Sequence, residues 1–438
     1  YRYSKVNSCA LFGINGVNVE IEVSILPGLS LFEIVGLGDC AIRESRNRVH
    51  AAIKNNGYNF PAGRITVSMA PGFIRKEGTA FDLPIAIGIL EASGQISTSG
   101  KKVSISGEMS LSGEIKSIPG TINRIITAHA NKMEKIIVPY SNLNESILIK
   151  GIEVYGVKNL CECIDYMENK GKWEVHDFSK EIIKNFPENA YKDISCVIGQ
   201  AGAVRAMKIA AAGRHNVMMT GSPGCGKTML AEILPGILPP LSESERIEVA
   251  KIYSSCGLLK HSDTGTIQRP FRNPHHNSSI TSITGGGHFP VPGEITLAHT
   301  GVLFLDEMNE FPSKILDMLR QPLEEHKIKI SRNRYNLDYP ADFMLIGAIN
   351  PCRCGNLLER NEKSPCKCTP LMIEKHLSVI SGPIYDRMDI FIEIIKISEN
   401  EIKNSLMESD KKESMIVRDK IKSAWEIQFE RCVKHNVR

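Results

Sequence analysis

The chain has 438 residues, 42% hydrophobic and 23% charged, which is enough for two or three domains with cores of their own. A formal charge of +4 neither demands nor excludes a nucleic-acid partner, so any basic footprint must be local. No apolar run approaches the ~20 residues that span a bilayer, and no secretory signal is visible, so the reading sets a membrane partner aside.

Taken in order, residues 18–26 alternate apolar and polar as a half-buried strand does. Residues 32–37 lead into a polar helix over 41–55, and a strand at 64–69 precedes an apolar helix over 83–93. Extended pieces at 103–107, 113–118 and 135–139 flank a helix over 121–131. This alternation predicts an α+β or α/β domain covering 1–165. Residues 166–192 are polar and without sustained period, and read as a linker with one short helix near 180–185.

The next stretch carries chemistry. Gly221-Ser222-Pro223-Gly224-Cys225-Gly226-Lys227-Thr228 fits the phosphate-loop pattern G-x-x-x-x-G-K-[ST]. An apolar strand over 216–220 precedes it and a helix start follows, which is the setting the motif needs. Its glycines let backbone N–H groups close round phosphates, and the helix N-terminus adds its positive end. Lys227 is expected on the β- and γ-phosphates of ATP and Thr228 on Mg²⁺. Val302-Leu303-Phe304-Leu305 is a buried strand ending in Asp306 and Glu307. Asp306 suits the Mg²⁺ sphere, and Glu307 suits orienting and deprotonating a water. A nucleotide-dependent protein belongs in the cytoplasm, where twelve cysteines favour metal or free thiols over disulfides.

Three further features carry residue types suited to specific contacts. Residues 327–337 alternate, turn at Arg332-Asn333-Arg334 and continue extended, predicting a β-hairpin with a basic tip. Arg332, Arg334 and Tyr335 suit phosphate contacts and base stacking on DNA; a solvated edge hairpin stays open as the other reading. Cys352, Cys354, Cys366 and Cys368 form two Cys-x-Cys knuckles able to surround a structural Zn²⁺, or else four reduced thiols in a loop. His275 and His276 are adjacent in a Gly- and Pro-rich stretch and fit loop contacts or polar roles near the nucleotide better than shared metal ligation.

Two resemblances extend this reading. The stretch from Lys76 to Ala86 and the stretch from Gly107 to Gly120 resemble the Lon-protease segments that carry the nucleophilic serine and lead to the catalytic lysine. Ala80 stands at the serine position and Ile122, or a neighbour, at the lysine position, so the resemblance implies a Lon-like scaffold without peptidase activity. Residues 193–395 resemble an AAA+ ATPase core, an α/β P-loop module with a parallel sheet and helices on both faces. That resemblance implies that Gly199 and Gln200 lie against the adenine. It also implies that Asn350 is a sensor for the γ-phosphate, and that Arg387 is a finger reaching a neighbouring subunit's nucleotide. Arg387 has a second reading, a surface ion pair with Asp386 or Asp389.

Nearly the whole chain resembles the ComM/YifB family of magnesium-chelatase-like AAA+ ATPases, most specifically at 221–228, 271–276, 292–307, 319–324 and 350–355. The resemblance implies a homo-hexameric, ATP-hydrolysing motor on branched or single-stranded DNA, driving branch migration during natural transformation. A chelatase- or chaperone-like remodeller of a protein partner is the alternative, and an ATP-dependent protease a weaker one. Residues 396–438 would be part of a helical lid that in the family continues to a sensor-2 arginine.

Overall fold

A computed structural model describes residues 2–36, 40–72, 78–98, 102–170, 191–259, 267–287, 290–332, 335–358, 365–396 and 413–435. The chain splits into two compact units, Tyr1–Lys184 with Ala250–Ile267, and Asn185–Val249 with Gln268–Arg438. The helix anticipated near 180–185 lies outside the described residues.

The first unit is built on strands β1 (Arg2–Phe12), β2 (Asn15–Leu26), β3 (Leu31–Val35), β4 (Arg64–Ala70), β5 (Val103–Ile105), β6 (Glu108–Met109), β7 (Ile115–Lys116), β8 (Lys135–Pro139) and β9 (Glu153–Val157). Seven of them form one mixed sheet in the order β3-β4-β2-β1-β5-β8-β9, and β6 and β7 form a separate small hairpin. The alternation in β2 has the expected consequence. Val19, Ile21, Val23 and Ile25 face the core, while the residues between them are only partly covered. The helix Asp82–Ala92 is apolar on every side and is buried along almost its whole length. Its first residue, Asp82, is fully buried. Arg48 donates to that carboxylate from Nε at 2.7 Å and Nη2 at 3.1 Å, Ser45 donates its hydroxyl, and Met109 its N–H at 3.2 Å. Burial pushes the Asp82 carboxyl's pKa up, and these donors oppose the shift. Replacing Arg48 by Met leaves a buried carboxylate short of its cation. The expected loss is about 3 kcal/mol of stability, read from denaturant unfolding.

Ala250–Ile267 groups with this unit, although the sequence placed 250–267 inside a contiguous ATPase core. The reason is local. Gly120, the N-cap of helix Thr121–Ala130, donates its N–H to Ser254 O at 2.7 Å, and Ser254 Oγ donates to Glu145 at 2.5 Å. At the Lon-like positions, Ala80 and Ile122 are both buried, the Thr79 hydroxyl is bonded to the Glu108 carboxylate, and Lys116 pairs with Glu114 at 2.7 Å. The methyl group of Ala80 cannot attack a peptide, and Ile122 has no amine to take a proton.

The second unit holds β10 (Val217–Gly221), β11 (Phe271–Arg272), β12 (Val302–Leu305), β13 (Lys327–Arg332), β14 (Tyr335–Pro340), β15 (Met344–Ile349) and β16 (Ile390–Ile394). Five strands make an all-parallel sheet in the order β11-β12-β15-β10-β16. Every residue of β12 and β15 is buried, as it must be in a parallel sheet covered on both faces. The mixed α/β architecture is that of a P-loop AAA+ module. β13 and β14 pair separately as an antiparallel hairpin, from Lys327 opposite Pro340 to Arg332 opposite Tyr335. The last helix, Glu413–His435, lays Val417 and Ile421 into the same core as β10 and β12, and Trp425 Nε1 donates to Ala211 O at 3.0 Å. Asp193 and Ser414 fasten its start: Ile194 N–H donates to Ser414 Oγ at 2.8 Å and Ser414 N–H to Asp193 Oδ2 at 3.2 Å. Among the described residues, no helix is long and apolar enough to cross a membrane.

Candidate nucleotide-binding site

Because the five strands are parallel, their carboxyl ends share one edge, and loops leaving that edge converge. The loop after β10 contains Ser222 to Gly226, the turn after β12 starts with Asp306 and Glu307, and β15 is followed by Asn350. The side chains meet there. Lys227 Nζ donates to Gly221 O at 2.7 Å, Ser222 O at 3.1 Å and Asn350 Oδ1 at 3.0 Å. Thr228 Oγ1 donates to Asp306 Oδ2 at 3.0 Å. Two residues expected to share Mg²⁺ are therefore already in contact, although far apart in the chain. Gly224 and Gly226 adopt φ of 75° and 96°, and a Cβ at either would meet no atom within 4 Å. The loop thus leaves an open cradle, rimmed by the ammonium of Lys227 and the N-terminus of helix Lys227–Glu232. Ser222 and Cys225 are buried beneath it and Pro223 is exposed. These residues fit a nucleotide triphosphate with Mg²⁺: an open backbone cradle, one buried cation, and a hydroxyl–carboxylate pair.

Glu307 sits in the left-handed region at φ 49°, a conformation costing about 1 kcal/mol or more for a residue with a side chain. Its N–H donates to Asp306 Oδ1 at 2.9 Å, and its half-exposed carboxylate has His276 Nδ1 at 3.7 Å. His276 stacks on His275, ring centres 4.2 Å apart.

The family model described as magnesium chelatase, subunit ChlI, matches residues 193–402, and one described as subunit ChlI of Mg-chelatase matches 21–142. The competence protein ComM of Haemophilus influenzae is 39% identical over 436 residues, covering 98% of this chain and 84% of that protein. The chain belongs to the ComM/YifB family of magnesium-chelatase-like AAA+ proteins. The YifB protein of Escherichia coli is 38% identical over 434 residues, 99% of this chain and 83% of that one. Lon protease 2 of Bacillus subtilis is 31% identical over 248 residues, 48% of this chain and 44% of its own.

Other residues of this ComM/YifB-family chain fall in different places. Gly199 has φ 66°, and Gln200 Nε2 donates to Ile395 O at 2.5 Å, just past the carboxyl end of β16 and so on the phosphate-loop edge. Arg387 is not brought to this site. It precedes β16 on the opposite, amino edge, where Asn216 Nδ2 donates to its carbonyl at 3.0 Å. Its guanidinium pairs with Glu324 and donates to Pro383 O at 2.9 Å, while Asp389 instead accepts from Asn216 N–H at 2.8 Å. Arg332 ends β13; Arg334 lies outside the described residues.

His376 was not among the residues legible from sequence. It lies on helix Pro370–Leu377, its Nε2 is 3.1 Å from Asn350 O, and the same edge of its ring meets Asn309 Nδ2. It braces the segment after β15 against the turn after Glu307, and no motif marks it.

Cys352, Cys354, Cys366 and Cys368 stand together, all four sulfurs within 4.8 Å of one another. No S–S bond joins them, and the closest pairs are 3.3 Å (Cys352–Cys354) and 3.6 Å (Cys352–Cys366 and Cys354–Cys366). The backbone N–H groups of Asn356 and Lys367, with the Cys352 thiol, lower the Cys354 thiol to about 6. Cys161 and Cys163 belong to no such group among the described residues.

Proposed function

We propose that this chain is an ATP-hydrolysing motor that assembles as a homo-hexamer and moves branched or single-stranded DNA, in the manner of a branch-migration helicase. The observation that supports hydrolysis is the convergence of Lys227, Thr228, Asp306, Glu307 and Asn350 on one edge of one parallel sheet. In this reading Lys227 and the loop N–H groups hold the phosphates, and Thr228 with Asp306 holds Mg²⁺. Bound Mg²⁺ supplies positive charge across the β- and γ-phosphate oxygens. Glu307 orients the attacking water and accepts its proton, and Asn350 fixes the distance between Lys227 and the last phosphate. Lys227 Nζ is held in place by the oxygens of Gly221, Ser222 and Asn350.

The DNA arm rests on the β13–β14 hairpin and on the competence protein among its relatives, whose designation fits natural transformation. Lys327 and Lys329 pair along the strands with Asp338 at 3.2 Å and Glu325 at 2.8 Å, and the reading assigns the backbone contact to Arg332 and Arg334. The test is ATPase rate with and without forked or four-way DNA, alongside mass measurement with ATP. Replacing Arg332 and Arg334 by Ala should lower the salt dependence of DNA binding by about one unit of log–log slope per arginine. An unchanged slope and unchanged DNA stimulation would remove the hairpin from the reading. A chelatase-type remodeller of a protein partner is supported by the magnesium-chelatase family match, and ATPase stimulation by no DNA of any structure would favour it.

A further inference from the structure

The four-cysteine cluster lies on the same sheet edge as the phosphate loop, and the two touch. A Cβ added to Gly355 would stand 2.5 Å from Pro223 Cδ, so the backbone of the first knuckle rests directly on the loop that cradles phosphate. Gly355 also has φ 80°, a conformation L side chains rarely adopt. Its N–H donates to Cys352 O at 2.9 Å and closes the turn that presents Cys352 and Cys354. On one side the cluster continues through Pro351 to Asn350, which accepts from Lys227. On the other, Thr369 caps helix Pro370–Leu377, whose His376 returns to Asn350 O. A segment that leaves the nucleotide site and comes back to it thus carries these four thiols together at its middle.

Four thiolates at about 2.3 Å from one tetrahedral ion stand about 3.8 Å apart. The sulfurs here are already at 3.3–3.6 Å for the three closest pairs and within 4.8 Å overall. Cys352 is fully buried, so one ligand is set in the protein interior. An iron–sulfur cluster of several irons would hold the four sulfurs farther apart. An all-sulfur tetrahedron without redox chemistry is the preference of Zn²⁺.

We propose that Cys352, Cys354, Cys366 and Cys368 bind one Zn²⁺, and that this clip presses the Gly355 turn against Pro223 and so holds the phosphate loop in its binding shape. The second half rests on the nucleotide reading above; the first does not. Zinc removal then loosens nucleotide binding, and nucleotide affinity reports zinc occupancy.

The experiment measures metal content and affinity for a fluorescent ATP analogue with Mg²⁺ on the same preparations of the whole chain. The wild type should carry about one zinc per chain. The double variant Cys354→Ser, Cys366→Ser should lose the zinc and bind the analogue at least about tenfold more weakly. Gly355→Ala should keep its zinc and still lose affinity, because its methyl group displaces Pro223. Since the cysteine variant could fail to fold, the wild type is also stripped with a chelator and reloaded with ZnCl₂. Affinity that falls and returns supports the clip. Zinc below about 0.1 per chain with four reactive thiols, or iron in its place, overturns the metal site. Unchanged affinity in folded, zinc-free protein overturns the coupling. A zinc-loaded wild type with no affinity for the analogue sinks the nucleotide reading while the metal site stands.

Discussion

Replacing Glu307 by Gln should stop ATP turnover and leave ATP binding intact. A positioned general base contributes about 10²–10⁴-fold, so the steady-state rate should fall at least about a hundredfold while the analogue's Kd moves by less than about twofold. The amide keeps the size and the hydrogen-bonding reach of the carboxylate but cannot take the water's proton. The geometry makes the separation clean. Glu307 makes no contact with Lys227 or Thr228, whereas its neighbour Asp306 accepts from Thr228 at 3.0 Å. Asp306→Asn should therefore weaken Mg²⁺-dependent binding as well as turnover. His276 Nδ1 stands 3.7 Å from the Glu307 carboxylate. Retained turnover in Glu307→Gln would show that another group takes the proton, with His276 the first to examine.

What could be read from sequence and what could not divide along a physical line. The phosphate loop was legible because its chemistry demands fixed residue types within eight consecutive positions. β12 and β15 were legible because a doubly covered parallel strand must be an unbroken apolar run. β11 was not: at two residues it is too short to show any period, and only its pairing with Val302 and Leu303 makes it a strand. Partnerships across long sequence gaps were also hidden. The readings for Arg387 offered Asp386 and Asp389, neighbours in the chain, but the pair comes from Glu324 on helix Arg320–Glu325. The brace from His376 to Asn350 and the burial of Asp82 against Arg48 have the same character. Each is set by how elements pack, and no local pattern encodes it. The cysteine spacing suggested a metal but not where it would press. The contact with Pro223 needs Gly355 to be placed in three dimensions.

Replacing Arg387 by Ala should abolish hydrolysis, and the loss should be repairable by a neighbour. An arginine finger is worth about 10³–10⁵ in rate. Arg387 cannot serve the phosphate loop of its own chain. Its carbonyl is bonded to Asn216, at the amino end of β10, while the loop begins at Gly221 on the other end. Five strand residues span roughly 16 Å. A parallel sheet with its cradle on one edge and its arginine on the other fits a head-to-tail ring, where one subunit's amino edge meets the next one's carboxyl edge. Arg387→Ala and Lys227→Ala chains should each be inactive alone. Mixed in equal amounts, roughly a quarter of the interfaces in a randomly assembled ring pair an intact Lys227 with an intact Arg387. Activity should therefore return on mixing, to a fraction of wild type that depends on how many sites must fire together. If mixing restores nothing while mass measurement shows mixed rings, the finger does not act between subunits. If Arg387→Ala alone keeps its rate, Arg387 is only the partner of Glu324.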